Sequence, residues 1–502
     1  MSSVSDVRLT VVQDLLDFFH RENIRYCHWK SNEHALAAVQ GDTDLDILFD
    51  EVQYAEVSEL LVSKGFFKYE AAWFVRYPYI EDYISIDVHS GKLIHVHAHF
   101  RLVLGEKRVK SYRLPWEDLI LSRRVWMDRE KIFASSPVDE LLLLIIRAAL
   151  KQPSQNNDQY AKSLDTGDIG REFAWLRQRV EPHEIQEVAA RLINSDVCGE
   201  VARMLCDGIT FDNLSAFKQK AEPALEGHRR YGRVQSVVVG FTRRVFAKFA
   251  SINKRLALLN IANHRTLTSR GIIVALMGAD GSGKSTQSRN IVAALSRKVD
   301  TVFIYMGSGS GPKSWHRQFL EGLRNKIGDG VSKKVGFAPE KTKRSGARPS
   351  LYRSVWAASL ALEKRSKLRK AQKAKGRGAI VITDRYPQTQ VQGFNDGPLL
   401  QCYEARSGSL LSLCSWIERK CYSFLEQAEP DLMIKLIGDI DCIHERRKES
   451  MGIEEIIKKQ ESIKTIEYGE KTITAQIDAC LDPDCVFKQI MKLIKEAMTQ
   501  CR

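Results

Sequence analysis

The feature that most constrains this 502-residue chain is the stretch Gly278-Ala-Asp-Gly-Ser-Gly-Lys284-Ser285. It directly follows the apolar run Ile272–Met277 and directly precedes a helical stretch, Thr286–Leu295. A buried strand, a glycine-rich turn and a helix N-terminus in that order curl backbone N–H groups around an anion, and the helix end adds positive potential. The spacing GxxxxGK[ST] predicts a phosphate-binding loop made of Gly278, Ala279, Asp280, Gly281, Ser282, Gly283, Lys284, Ser285 and Thr286. Lys284 is placed to reach the β- and γ-phosphates of a nucleotide, and the Ser285 hydroxyl to help hold Mg2+. A carboxylate at the end of a neighbouring strand is then needed for the magnesium shell, and Ala379-Ile-Val-Ile-Thr-Asp384-Arg385-Tyr386 supplies one.

From Arg270 onward, short apolar runs (Ile272–Met277, Ala379–Thr383, Leu432–Ile437) alternate with helical stretches, which is the pattern of buried parallel strands in an α/β layered domain. Phosphoryl transfer also calls for a mobile cationic lid. After Leu432–Ile437 the run His444-Glu-Arg446-Arg447-Lys448 leads into a predicted helix continuing through Glu454–Ile463, and it reads equally as a lid or as a solvated face.

The set GADGSGKST, then VITDRY about 100 residues on, then PDLMIKL followed by ERRK, resembles the thymidylate kinase family of phosphate-loop (P-loop) kinases over Gly271 to about Lys495. The resemblance implies ATP as donor with Mg2+, phosphate anchoring by Lys284, Arg385 on the acceptor's phosphate, and lid arginines Arg446 and Arg447 stabilising the transition state. It also sets Asp280 near the acceptor. The acceptor half departs from the family. Where an Arg-Glu-Pro-Gly-type motif is expected after the second strand, Thr301–Met306 leads into Gly307-Ser-Gly309-Ser-Gly311 and a long basic insertion, Pro312–Pro349. The acceptor is therefore left open between a nucleoside monophosphate such as dTMP and a phosphorylated sugar or glycan metabolite.

A second chemistry-bearing pattern lies near the start of the chain. In Asp42-Thr-Asp44-Leu-Asp46-Ile-Leu-Phe, strand geometry puts Asp44 and Asp46 on one face, where they repel unless a cation sits between them. Ile84-Ser-Ile-Asp87-Val-His89 is read as the next strand, and three carboxylates on adjacent strands suit a two-metal site for phosphoryl or nucleotidyl transfer. This resembles the DNA polymerase beta-like nucleotidyltransferase fold over about 100 residues, with Asp44, Asp46 and Asp87 as the implied metal ligands. Lys30-Ser31 stands where that family has Gly-Ser. His95, His97 and His99 alternate on the following strand and share a face, either lining the same pocket and ordering the carboxylates or holding a transition metal.

Charge decides between partners. Lys plus Arg number 76 against 62 Asp plus Glu. The excess is concentrated: Gly227–Ala279 has ten basic and no acidic residues, and Gly311–Gly378 has 19 basic and four acidic. A phosphorylated substrate explains this better than nucleic acid. Between Val238 and Leu259 an apolar residue recurs every three or four positions with Arg243, Arg244 and Lys248 mostly off the stripe. That describes a helix that connects domains or rests on an anionic membrane surface. No apolar run reaches the ~20 residues of a membrane span. Ten cysteines without a CxxC pair point to reduced thiols and a cytoplasmic location.

The expected organisation is multidomain, α+β and α/β. It comprises a nucleotidyltransferase-like domain (1–130), a helical extension (131–227), a basic connecting helix (228–270) and a P-loop kinase domain with a parallel sheet and flanking helices (271–502). The expected activity is transfer of the γ-phosphoryl group of ATP to a small acceptor, with a second copy of the chain, as a homodimer, among the expected partners. Two alternatives stand beside it: a nucleotide-sensing scaffold with little turnover, and a nucleotidyltransferase with the kinase as accessory.

Overall fold

The computed structural model describes residues 8–256, 261–262, 264–307, 351–392, 396–400, 410–446 and 453–501. The chain divides into two compact units, Met1–Thr268 and Ser269–Arg502.

The first unit is built on a mixed sheet. Its strands are β1 (Tyr26–His28), β2 (Leu45–Phe49), β3 (Phe67–Glu70), β4 (Ile80–Ile86) and β5 (Leu93–His99), then, after a separate two-stranded ribbon of β6 (Leu102–Leu104) and β7 (Tyr112–Leu114), β8 (Val125–Met127), β9 (Ile132–Ala134) and β10 (Thr266–Leu267). The order across the large sheet is β10-β3-β4-β5-β2-β1-β9-β8. β5 lies between β4, antiparallel, and β2, parallel. The helix Thr10–Arg21 lays Val12, Leu15, Leu16 and Phe19 against the sheet, and Tyr26, Phe49 and Val96 complete that core. Helices from Pro137–Lys151 to Phe211–Glu226 form a second core. The first of them starts where the Ser136 hydroxyl accepts from the Asp139 N–H and Pro137 occupies the first turn. Its run Leu141–Ile146 is buried all round, as the central helix of a layer must be.

One expectation changes here. The stretch 228–270 is not a separate connector. The helix Arg233–Leu256 donates from Arg243 Nη1 to the Arg108 carbonyl at 2.8 Å and stacks Phe246 edge-on against Trp73 at 4.7 Å, and β10 extends the sheet at β3. Its apolar stripe is also not packed: Val238, Phe241, Val245, Phe249 and Ile252 are all exposed, Phe241 at 64%. No described helix is long and apolar enough to cross a membrane.

The second unit carries a sheet of five parallel strands, β11 (Ile272–Gly278), β12 (Thr301–Tyr305), β13 (Ile380–Asp384), β14 (Leu432–Ile437) and β15 (Ile473–Asp478), in the order β12-β13-β11-β14-β15. All the Ile272–Met277 and Leu432–Ile437 side chains are buried, which is why these strands read as apolar runs, the second broken only by Lys435, whose Nζ donates to the Lys464 carbonyl at 2.9 Å. The chain passes from β11 out to β12, returns through β13 and crosses to β14. The strand order therefore reverses beside β11, and the carboxyl ends of β11, β13 and β14 open on one crevice. The expected continuous lid helix is two: Ile440–Glu445 and Ile453–Thr465, with 447–452 outside the described residues.

Candidate functional site

At the crevice of the second unit, β11 ends in Gly278, where a Cβ would stand 2.3 Å from Ser282 Oγ and 2.7 Å from the Leu436 carbonyl. Gly283 caps the next helix at φ +84°, a conformation L side chains avoid, and the helix begins at Lys284. The loop is thus wound by its glycines into a tight anion-binding turn. Lys284 is buried and donates from Nζ to the Ala279 carbonyl at 2.7 Å. Burial, with Arg385 close by, pulls its ammonium down to about 8.

Register brings the second element to the loop. Leu276 of β11 pairs with Asp384 of β13, so Asp384 reaches Ser285, whose Oγ donates to Asp384 Oδ2 at 2.5 Å. Asp384 Oδ1 is buried without a hydrogen-bond partner, and so is Ser282 Oγ. A hydroxyl and a carboxylate oxygen side by side are hard oxygen ligands. An orphaned carboxylate oxygen next to a phosphate loop fits a magnesium ion carried by a nucleotide. Thr286 lies in the first turn of the helix.

Two cations gather on Asp280. Its Oδ1 accepts from Arg385 Nη2 at 2.8 Å and its Oδ2 from Lys459 Nζ at 3.1 Å. Burial alone would raise this carboxyl, but Arg385 and Lys459 outweigh it and hold Asp280 below the usual carboxylate range. Arg385 sits at φ +70°, a strained conformation for an arginine, and its other nitrogen lies 3.9 Å from Asp396. Asp396 in turn lies 3.3 Å from Lys364.

Lys459, on the helix Ile453–Thr465, therefore meets the loop beside Arg385, and it was hidden in the sequence among the charges of what reads as a solvated face. Arg446 turns elsewhere: its Nη1 donates to the Ala479 carbonyl beyond β15, at 2.8 Å. The helix Ile440–Glu445 ends at it and directs it toward that strand end, so this structure does not bring Arg446 to the loop. Arg447 lies outside the described residues.

The first unit assembles a second cluster on the face shared by β2, β4 and β5. Asp46 of β2 and His97 of β5 are cross-strand partners, with Asp46 Oδ1 2.9 Å from His97 Nδ1 and 3.5 Å from His99 Nε2. Asp44 Oδ1 is 3.0 Å from His95 Nδ1. The carboxylate that joins this group is Asp82, not Asp87. β4 runs antiparallel to β5 with Asp82 opposite His97, and Asp82 Oδ1 lies 2.8 Å from both His95 Nε2 and Arg265 Nε. Asp87 falls just past the end of β4, where it caps the hairpin turn by accepting from Ser90 N at 2.9 Å and Ser90 Oγ at 2.6 Å. Asp87 is five positions from Asp82 and so has the opposite strand parity, and the turn-forming Ser90-Gly91 is what claims it.

Burial lowers the His97 and His99 imidazoles, and Asp46, despite its own burial, is held well below the carboxylate range by Lys30 and His97. Lys30 Nζ stands 2.9 Å from Asp46 Oδ1. Its loop is pinned by the helical extension: Ser31 N donates to Glu172 at 3.1 Å, and Asn32 N to Glu140 at 2.9 Å. Glu140 is pushed up to about 8 by burial and by Glu172 nearby.

No family model matches the chain. Among known proteins it is similar to the "uncharacterized ATP-binding protein YghR" of Escherichia coli K12, at 29% identity over 177 residues, covering 35% of this chain and 68% of YghR. It is also similar to the "uncharacterized ATP-binding protein YghS" of the same strain, at 31% identity over 166 residues, covering 33% of this chain and 68% of YghS. A solved structure, thymidylate kinase from Candida albicans, aligns over 46% of this chain and 94% of its own at 18% identity, with a TM-score of 0.27.

Proposed function

The chain belongs to the family of the Escherichia coli ATP-binding protein YghS, and we propose that it is an ATP- and Mg2+-dependent phosphotransferase acting on a small phosphorylated or sugar acceptor. The observation that carries this reading is the pairing of Ser285 with Asp384 at the mouth of a glycine-wound loop whose one buried lysine is Lys284. In this reading the loop N–H groups and Lys284 cradle the phosphates, and Ser285 and Asp384 would hold Mg2+, which supplies charge neutralisation between the β- and γ-phosphates. Arg385, released from Asp280, takes the acceptor's anionic group. Lys459 approaches the transferring phosphoryl group from the neighbouring helix. The acceptor oxygen forms its bond to the γ-phosphorus as the bond to the bridging oxygen breaks and ADP departs. Catalysis of this kind is mainly positioning and charge stabilisation.

The test is product analysis of Mg·ATP with the whole chain and a panel of acceptors including dTMP and phosphorylated sugars. Acceptor-dependent ADP supports the reading. Pyrophosphate in place of ADP would favour the second reading, nucleotidyl transfer in the first unit, which rests on Asp44 and Asp46 facing Asp82 across the sheet. Neither product, with tight nucleotide binding, would favour a sensing role.

The exposed stripe on Arg233–Leu256 supports a further element of the proposal, peripheral contact with an anionic membrane. Valines and phenylalanines lie exposed along a helix with Arg243, Arg244 and Lys248 and no acidic residue. The chain should then co-sediment with phosphatidylserine vesicles and not with phosphatidylcholine vesicles, and Phe241→Asp should abolish this. Concentration-dependent dimerisation lost in the same variant would assign the stripe to a second copy instead.

A further inference from the structure

The cluster on β2 and β5 has a geometry that ion pairing alone does not require. Three donor atoms, Asp46 Oδ1, His97 Nδ1 and His99 Nε2, converge with mutual separations of 2.9, 3.5 and 3.3 Å. Around a metal with bonds of ~2.0–2.2 Å, ligand atoms stand about 2.9–3.1 Å apart at right angles and about 3.3–3.5 Å apart at tetrahedral angles. The triangle therefore has the dimensions of one face of a coordination shell. It is also rigidly built. Asp46 and His97 are paired in the strand register, His97 and His99 alternate on one strand, and the fully buried His99 ring meets Trp29 edge-on at 5.1 Å.

The other carboxylates of the face are engaged elsewhere, Asp82 with His95 and Arg265 and Asp44 with His95. That leaves Asp46 as the oxygen donor of the triangle, and two imidazoles as the rest of it. This donor set selects a first-row transition dication over Mg2+, which takes an oxygen shell. The His97 and Asp46 side chains are each about one-sixth exposed, at 17% and 16%, so the remaining positions on the ion would face an open side.

We propose that Asp46, His97 and His99 form a binding site for a first-row transition-metal dication of the zinc or iron(II) class, with open positions for water or an oxygen-bearing ligand. Lys30 takes part as a competitor. Its ammonium lies 2.9 Å from the same Asp46 oxygen, so metal entry displaces it, and the lysine that replaces the glycine of the nucleotidyltransferase pattern sets the site's affinity. The proposal stands apart from the kinase reading, since no residue of the phosphate loop enters it.

The experiment uses the full-length chain, stripped by chelation and titrated with Co2+ in millimolar Mg2+. One equivalent per chain should bind, with visible ligand-field bands and without the intense near-ultraviolet thiolate band that cysteine ligation produces. His97→Ala and the nearly isosteric Asp46→Asn should each weaken uptake by at least ~100-fold, while Lys30→Met should tighten it by about tenfold. Circular dichroism of Asp46→Asn and Lys30→Met identifies a folding defect, and the opposite direction expected of Lys30→Met distinguishes the site from a general loss of structure. Lys284→Ala, which acts on the kinase reading, should leave uptake unchanged. Binding unaffected by Asp46→Asn and His97→Ala, a thiolate spectrum, displacement by Mg2+, or no stoichiometric uptake would each overturn the proposal.

Discussion

The two clusters compensate partly buried carboxylates in different ways. In the second unit Asp280 is held by permanent cations, Arg385 and Lys459, and nearby Asp396 by Lys364. In the first unit Asp46 is surrounded by His97 and His99, whose charge burial suppresses, with Lys30 as a permanent cation beside it. Cations that already sit on carboxylates can be transferred to incoming phosphates, so the first arrangement suits a site that handles anions. Neutral imidazoles beside a carboxylate offer lone pairs, so the second suits a site that takes a cation. The lesson is that a carboxylate's partners, more than the carboxylate itself, tell which charge a site is built to receive.

Removing the anchor of the anion-handling site should break this comparison most severely. Lys284→Ala should lower acceptor-dependent ADP formation by at least ~100-fold while the thermal transition stays within a few degrees of the parent. ADP formation at the parent rate would remove the phosphate loop from the mechanism. Lys459→Met should lower kcat by about tenfold and leave the KM for ATP nearly unchanged if, as proposed, the lysine engages the transferring group and not the bound nucleotide. A rise in KM for ATP alone would place it on the ground-state nucleotide.

The pH dependence sharpens the same contrast. With its ammonium pulled down to about 8, Lys284 in the free protein loses its proton as pH rises through that value, yet in the proposed reading it is the cation that phosphates bind. ATP binding therefore takes up a proton above pH 8, and affinity should fall by up to about tenfold between pH 7 and 9. Calorimetry in buffers of differing ionisation enthalpy reads this directly, and Lys284→Arg should flatten the profile. The smallest effect is expected at Asp87. Asp87→Asn should cost ~1–2 kcal/mol of stability by weakening the Ser90 turn, with no change in Co2+ uptake. Loss of metal binding in that variant would return Asp87 to the site.

How far each region could be read ahead follows from how its residues are connected. The phosphate loop is contiguous. Strand, glycines, lysine and helix lie within one short stretch, and the backbone bonding of that stretch dictates its shape wherever it folds. Asp384 could be anticipated as well, because an apolar run delivers it to the end of a strand. Asp44, Asp46 and the alternating histidines were visible through period-two geometry.

Lys459, Asp82 and the apolar stripe of Arg233–Leu256 needed the fold. Lys459 meets Asp280 across 179 positions, which only the packing of the helix Ile453–Thr465 against the loop decides. Asp82 rather than Asp87 faces His97 because the turn closes where the Asp87 N–H meets the Lys92 carbonyl, which fixes the register, and Asp87, an odd number of positions from Asp82, has the opposite strand parity. The amphipathic pattern predicted a helix but not whether its apolar face would be covered, since periodicity specifies a face and not its partner. Local bonding thus determined the elements and the phosphate loop from sequence alone. The tertiary structure decided which charges stand beside which, because Coulomb and coordination contacts act through space and their partners lie far apart along the chain.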